Sequence, residues 1–417
     1  MMLFIVMGII LIALGYVVGA AWMPPDGGYV GIALALAVWG IWSLVSYFAG
    51  DNIMLTMSGA KEVTRDVHPQ LFNVVEEMKI AAGLPKMPKV YIIESEAPNA
   101  FAVGRKPDQT AIAVTAGLLA MMNRDELQGV VAHETGHIHN RDVQFITFAG
   151  IMLGTIALIS QVFLRSMWFR GGSNRRYKSG GKDNGQGQII ILVVALVFAI
   201  LAPIMVQLLY FALSRKREYL ADATAARLTR YPEGLASALE KLSHNTAELQ
   251  RANNVTAPMY IVNPLKPKGR ELSNLTSTHP PISERIKILR AMSQGASLAN
   301  YQAAYDKITG KGGIVPASGL KDTEPVSIRE ASGDDRKTGD KRSRKREAGD
   351  IMRAVNKYLF MGCAACGLKM KIPPDFKKDK IQCPRCGHTI DIPVTELAAA
   401  GVVLEQADKT KKTPGSN

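Results

Sequence analysis

Residues 133–137 read His-Glu-Thr-Gly-His, and six positions further on an uncharged run begins, Val143–Leu164. On a helix, His133 and His137 stand one turn apart, so both imidazoles face the same side and can share one Zn²⁺. Glu134 lies beside them, placed to take a proton from a water that such an ion activates. That water is the nucleophile for peptide hydrolysis. The pentapeptide therefore states a reaction class, and the apolar run beside it states a location.

Two imidazoles leave a hydrolytic zinc one protein ligand short. Downstream stands Ser214-Arg-Lys-Arg-Glu-Tyr-Leu-Ala-Asp222, in which Glu218 and Asp222 again share a helix face. We assign Glu218 as the third ligand. Asp222 is placed behind the ligands, accepting the free N–H of a zinc-bound imidazole and fixing its tautomer. Taken alone, this stretch reads as a solvated helix whose charges pair with Arg215 and Arg217; next to His133–His137 the metal reading prevails. His139 lies about 200° around the helix from His137 and is read as a surface residue. The position six residues after His137 is Val143, so a third histidine in that register is absent.

Four stretches lack charge: Met1–Pro25, Gly27–Gly50, Val143–Leu164 and Asn184–Ser214. Each reaches the roughly 20 residues needed to cross a bilayer as a helix. The first could be a cleaved signal peptide, but it has no basic leading region and a second apolar run follows directly, so a retained hairpin is favoured. Glu218 must meet His133 and His137 on one side of the bilayer, so the third and fourth runs form a second hairpin. At 1.5 Å per residue, both ligand sets then lie within roughly 10 Å of the lipid. The substrate expected is a protein segment in or near the membrane.

The chain carries 50 Lys and Arg against 36 Asp and Glu, a net charge of +14. That excess suits anionic lipid headgroups. The basic residues are scattered without a recognition helix, which argues against nucleic acid as a partner. Basic clusters flank the apolar runs on both sides, at 165–187 and around Arg215-Lys216-Arg217, so the positive-inside rule does not orient the chain.

The cysteines do. All four lie in Cys363-Ala-Ala-Cys366 and Cys383-Pro-Arg-Cys386. The spacing fits a four-Cys zinc ribbon, with Gly367 and Gly387 where each knuckle turns. Two disulfides are the alternative. Zinc-bound thiolates persist best in a reducing cytosol, which puts this end of the chain, and the catalytic domain with it, on the cytoplasmic side. Between Lys321 and Asp350 stand nine basic and eight acidic residues with few large apolar ones, so a charged flexible linker is expected over 301–350.

The fold class expected is a multi-pass α-helical membrane protein with an α+β metalloprotease domain and a C-terminal zinc ribbon. Its parts are a transmembrane hairpin at 1–50, a catalytic domain at 51–300 interrupted by a membrane hairpin at 143–214, the linker, and the ribbon module with its tail at 351–417. Within the catalytic domain a helix is expected near Leu71–Ala82. Strands are expected at Val90–Glu94 and Ala111–Thr115, and an Asn123/Glu126 cap opens the metal-binding helix. An edge strand there would let an extended substrate add by backbone hydrogen bonds. His279, in Ser277-Thr-His-Pro-Pro281, is read as a solvent-exposed loop residue, with oxyanion stabilisation as a secondary role.

Together, the membrane runs around His133–His137, Asn99-Ala-Phe-Ala102, Arg217-Glu-Tyr-Leu-Ala-Asp222 and Ser277-Thr-His-Pro-Pro281 resemble the HtpX family of membrane zinc metalloproteases, relatives of the CAAX prenyl proteases. The resemblance covers about residues 1–295. It implies a gluzincin-like fold, a bacterial or archaeal inner-membrane location with a cytosolic active site, and endopeptidase activity in membrane-protein quality control. It implies His133, His137 and Glu218 as zinc ligands, Glu134 as the base, and Asn99, Ala100, Phe101 and Ala102 as the substrate-binding edge. Residues 300–417, with the ribbon, depart from the family pattern. Rival readings are a prenyl-protein protease, a non-catalytic membrane scaffold with a structural zinc, and a tethered nucleic-acid-binding ribbon.

Overall fold

The structure, a computed structural model, describes residues 2–23, 26–171, 184–245, 247–249, 260–262, 279–320, 326–333, 340–374, 376, 378 and 380–392. Most of the loop 165–187, Ser277, Thr278 and the tail beyond 392 lie outside them.

The chain begins with two apolar helices, α1 (Met2–Trp22) and α2 (Gly27–Ser58). They meet through small residues at four-residue spacing, Gly15 and Gly19 on α1 against Gly27 and Gly31 on α2. A Cβ on Gly31 would stand 2.0 Å from the Gly15 carbonyl oxygen, and one on Gly19 would stand 2.0 Å from that of Gly27. Only glycine permits this backbone approach, and helices in lipid, which gain nothing from mutual apolar burial, associate by such close packing. Tyr29, Leu34, Ile41, Trp42, Leu44 and Phe48 of α2 point outward. In water that surface would be unfavourable; against acyl chains it is matched.

A four-stranded sheet follows, made of β1 (Ala60–Glu62), β2 (Lys89–Ile93), β3 (Ala100–Lys106) and β4 (Gln109–Thr115), in the order β1-β2-β4-β3. β2 and β4 are parallel and the outer pairs antiparallel, so β3 is an edge strand. Helix α3 (Pro69–Ala81) precedes β2 and buries Leu71, Val74, Val75 and Met78. After β4 come α4 (Ala116–Met121) and α5 (Arg124–His139). The expected cap of α5 is present and reciprocal. Asn123 Oδ1 accepts from Glu126 N at 2.9 Å, and Glu126 Oε2 accepts from Asn123 N at 2.9 Å.

α5 ends at a sharp corner where Arg141 takes a left-handed φ of 58°, unusual for a side chain of that size. α6 (Asp142–Gly171) starts immediately, and α7 runs unbroken from Asn184 to Thr229, 46 residues. Among the described residues, Ile5–Trp22, Gly27–Val45 and Ile189–Leu208 are long and apolar enough to cross a membrane, and Met152–Ser166 of α6 is a shorter apolar stretch. Met7, Leu11, Leu14, Met152, Ile156, Phe163, Ala195 and Ala199 form a core shared by α1, α6 and α7.

α7 leaves this bundle and enters the catalytic domain, where α8 (Pro232–Ser243), α9 (Ile282–Arg290) and α10 (Leu298–Thr309) pack around α5 and the sheet. A short α11 (Ala317–Leu320) follows. The stretch expected to be a flexible linker is, in its described parts, structured. Arg329 donates to Asp125 Oδ1 and Gln128 Oε1, both at 2.7 Å, and to the Thr229 carbonyl at 3.0 Å. Ser332 N and Oγ bond the other Asp125 oxygen. α12 (Lys341–Val355) then sets Ala348 and Ile351 into the catalytic core while its charged face stays in solvent. Composition failed as a guide because a few fixed partners and two apolar residues suffice to dock a chain that is otherwise polar.

The last described residues form two hairpins, β5 (Leu359–Gly362) with β6 (Lys369–Ile372), and β7 (Lys380–Gln382) with β8 (Thr389–Asp391).

Candidate metal centre and active site

α5 brings His133 and His137 to one face, and α7 brings Glu218 across from them. Gly136 lets the helices approach: a Cβ there would stand 3.1 Å from the Ala221 carbonyl oxygen. The two Nε2 atoms lie 3.2 Å apart, His133 Nε2 is 3.7 Å from Glu218 Oε2, and His137 Nε2 is 3.5 Å from Glu218 Oε1. A tetrahedral ion with bonds of about 2.0–2.1 Å has ligand–ligand edges of about 3.3 Å, so the three spacings fit one metal. All three residues are buried.

The outward ring nitrogens are both held by carboxylates. His133 Nδ1 lies 2.9 Å from Asp222 Oδ1, as expected from the sequence, and His137 Nδ1 lies 3.1 Å from Asp142 Oδ2. Each contact favours the Nδ1–H tautomer and leaves an Nε2 lone pair facing the other ligands. The donor set is thus two neutral imidazoles and one carboxylate, which suits a divalent zinc. Asp142 is in turn bound by Arg217.

Asp222 is clamped by Arg285, whose Nε and Nη2 donate to Oδ2 and Oδ1 at 2.8 and 2.6 Å, while Nη1 lies 3.3 Å from Glu218 Oε2. Arg285 is fully buried. Burial alone would raise the Asp222 and Glu218 carboxyls. Arg285 with His133 for Asp222, and His279 with His137 and Arg285 for Glu218, reverse that and hold both below their usual range. Burial pushes the His133 imidazole down. For His137, Asp142 and Glu218 overcome burial and draw it well above its ordinary value, so an arriving metal displaces a proton there.

Glu134 is buried beside the ligands, and burial lifts its carboxyl to about 7. Oε1 has no hydrogen-bond partner among the described residues. An unpartnered buried carboxylate oxygen is costly to maintain and fits a group reserved for a reacting molecule.

His279 is not the solvent-exposed residue expected. It is 4% exposed, with Nδ1 3.1 Å from Glu218 Oε2, because the chain entering α9 folds over Glu218. His139 is exposed, as read. β3 begins at Ala100 as an edge strand, but Asn99, Ala100, Phe101 and Ala102 are all buried, and Asn99 and Ala100 already bond the chain's own residues 261 and 262. Sequence reasoning missed two residues of this centre. Asp142 had one signal, an acid just past the helix end and five residues from His137. Arg285 had none, since its partner Asp222 lies 63 residues away.

Across the two C-terminal hairpins, Cys363 Sγ is 3.5 Å from Cys386 Sγ and Cys366 Sγ is 3.6 Å from Cys383 Sγ. These separations exceed a disulfide bond and lie near the roughly 3.8 Å edge of a tetrahedron with 2.3 Å Zn–S bonds. The knuckles repeat each other. Gly367 N bonds Cys363 O and Gly387 N bonds Cys383 O, with glycine φ values of 70° and 72°.

A buried His-Glu-x-x-His helix, completed by a glutamate from a helix that rises out of an apolar bundle, defines a membrane metallopeptidase. Residues 66–293 match peptidase family M48. Over 267 residues the chain is 48% identical to a protease HtpX homolog of Dictyoglomus turgidum, covering 64% of this chain and 84% of the relative. Over 292 residues it is 44% identical to the protease HtpX homolog of Thermoanaerobacter pseudethanolicus, covering 70% and 94%. A crystal structure of S. mikatae Ste24p aligns at a TM-score of 0.40 and 21% identity, over 68% of this chain and 62% of that one. The chain belongs to peptidase family M48, in its HtpX branch, and is a membrane zinc endopeptidase.

Proposed function

We propose that His133, His137 and Glu218 hold the catalytic zinc, that Glu134 is the general base, and that the substrates are membrane-associated or misfolded proteins cleaved on the cytoplasmic side. The observation that carries this reading is the convergence of three ligand atoms within 4.8 Å of one another, with the unpartnered Glu134 oxygen beside them. When bound, zinc polarises the scissile carbonyl and makes water a stronger acid. Glu134 takes the proton of the attacking water and delivers it to the departing amine. Asp222 and Asp142 orient the two imidazoles, and Arg285 and His279 hold the carboxylates in place.

The bilayer supports the substrate assignment. Glu218 follows Ser214, the last residue of the uncharged run of α7, by four positions, or about 6 Å along the helix. A peptide reaching the site therefore comes from close to the lipid surface. The four free thiols at metal-like spacing support a second, structural zinc and a reducing compartment for this end of the chain. By this reading the parts are an N-terminal hairpin, a catalytic domain carried on α6 and α7, and a docked ribbon module.

The test uses the full chain in detergent. Glu134→Gln should keep its zinc by elemental analysis and lose cleavage of an unfolded protein by at least about 100-fold. Undiminished proteolysis in that variant removes Glu134 from the reaction.

A further inference from the structure

Residues 326–332 lie beyond 66–293, the region that matches the peptidase family, yet they bond both helices that converge on the metal centre. The Arg329 side chain stands between the two. Its Nη2 donates to Asp125 Oδ1, on the first turn of α5, at 2.7 Å. Its Nε donates to the carbonyl of Thr229, the last residue of α7, at 3.0 Å. Ser332 donates from N and Oγ to the other Asp125 oxygen, at 2.8 and 2.9 Å. Arg329 N donates to the Arg230 carbonyl at 2.9 Å, and Arg230 Nε returns a bond to the Ser327 carbonyl at 3.0 Å. Asp125 is buried. Burial alone would raise its carboxyl, and the Ser332 and Arg329 bonds hold it below its usual range.

We propose that residues 326–332 are a clasp that fixes the angle between α5 and α7, and that Arg329 is a positioning residue for the metal centre. The proposal rests on the reading of His133, His137 and Glu218 as the zinc ligands. Lever lengths carry it. α5 and α7 touch where Gly136 meets Ala221, and Asn140 Nδ2 donates to Thr224 Oγ1 at 3.2 Å beside that contact. His133 and Glu218 each stand three residues from the contact, or about 4.5 Å along their helices. The clasp holds Asp125 and Thr229, eleven and eight residues from it, or about 16 and 12 Å. A turn of about 10° at the contact would move a ligand by about 0.8 Å and the clasped ends by about 2–3 Å. Hydrogen bonds do not survive displacements of that size, so a tie at the far ends resists a change of angle that the short arms beside the metal could not resist themselves. On the other side of the contact Arg217 binds Asp142, and the metal centre therefore lies between two ties. The second tie comes from the C-terminal extension, which makes that extension part of the peptidase and not a passive appendage.

The experiment is a double-mutant cycle in the full chain in detergent, with Arg329→Met, Asp125→Ala and the pair together. Lys241 still holds Glu126 on the same turn at 2.7 Å, which keeps α5 anchored on α8 in each variant. Zinc affinity is read by competition with a chelating dye in a Cys383→Ser background, so that only the His-liganded ion is counted. Each single variant should weaken zinc by about 10-fold and lower kcat by at least about 10-fold, with KM within two-fold of wild type. The double variant should be no worse than the weaker single, because both changes open one tie. If Asp125→Ala does not fold, Arg329→Met decides alone. Zinc affinity and kcat within two-fold of wild type in a folded variant, even with a lowered unfolding midpoint, make the segment a structural prop and overturn the proposal. Losses that multiply in the double variant overturn it as well. Absence of any zinc in the Cys383→Ser parent instead overturns the ligand assignment beneath it.

Discussion

Replacing Arg285 with Met isolates what the buried cation does. In the wild type it neutralises Asp222 through two hydrogen bonds of 2.8 and 2.6 Å and approaches Glu218 at 3.3 Å, with Glu134 a third carboxyl nearby. Met fills similar space and leaves the acids without their cation. Breaking a buried pair from one side costs about 3–5 kcal/mol, because a desolvated charge stays behind. For a catalytic domain of this size that is a fall of about 6–20 °C in the unfolding midpoint. The pH dependence identifies the cause. Asp222 and Glu218 sit below their usual range, so in the wild type their contribution is present above the unfolded carboxylate range and is lost as pH falls through the lower folded values. In Arg285→Met the same carboxyls move upward, destabilise at neutral pH, and are relieved by protonation. The gap between variant and wild type should therefore narrow as pH drops from 7 towards 4. The assay is thermal unfolding of metal-free protein in detergent across that range. Arg285→Lys should fall between the two, keeping charge but not the two-pronged geometry. A midpoint for Arg285→Met within about 2 °C of wild type at pH 7, or a gap that widens on acidification, refutes the argument.

Glu134 titrates near 7 without metal, and a bound cation favours its charged form, so kcat/KM should decline below a limb centred at or under about pH 7; a limb above 8 would point to another group. Asp222→Asn should weaken zinc binding by about 10–100-fold in a competition with a chelating dye, since the His133 tautomer loses its anchor; unchanged affinity would deny Asp222 that role. Cys383→Ser should reduce bound zinc from two per chain to one while leaving the His-liganded ion; retention of both would mean the thiols hold no metal.

What was legible in the sequence was what repeats locally. The His133/His137 spacing, the Asn123/Glu126 cap, the uncharged runs and the glycines of the Cys knuckles all act within one turn of chain, so their residue types reveal them. What stayed hidden depends on contacts between distant segments. Arg285 reads as an ordinary helix charge until its partner arrives from α7. Asp142 reads as the end of a helix, yet it begins α6 and orients His137 across a corner that only the left-handed Arg141 makes possible. The 326–332 stretch is polar by composition and still ordered, because Arg329 and Ser332 satisfy the buried Asp125 at the start of α5.

The attachments of the centre link its geometry to the bilayer. Glu218 rides on α7, which continues without a break into the apolar bundle, and His137 is oriented by the first residue of α6. Arg217, next to Glu218, binds that same Asp142, so α6 and α7 are joined beside the metal centre. A tilt of α7 by about 5° about Leu208 would carry Glu218 by about 1 Å over its roughly 15 Å lever. Displacements of that size can cost two orders of magnitude in rate. The Arg217–Asp142 contact opposes such a shift, because moving one ligand-bearing helix drags the residue that positions the other ligand. On this geometry the packing of α6 on α7 is part of the active site.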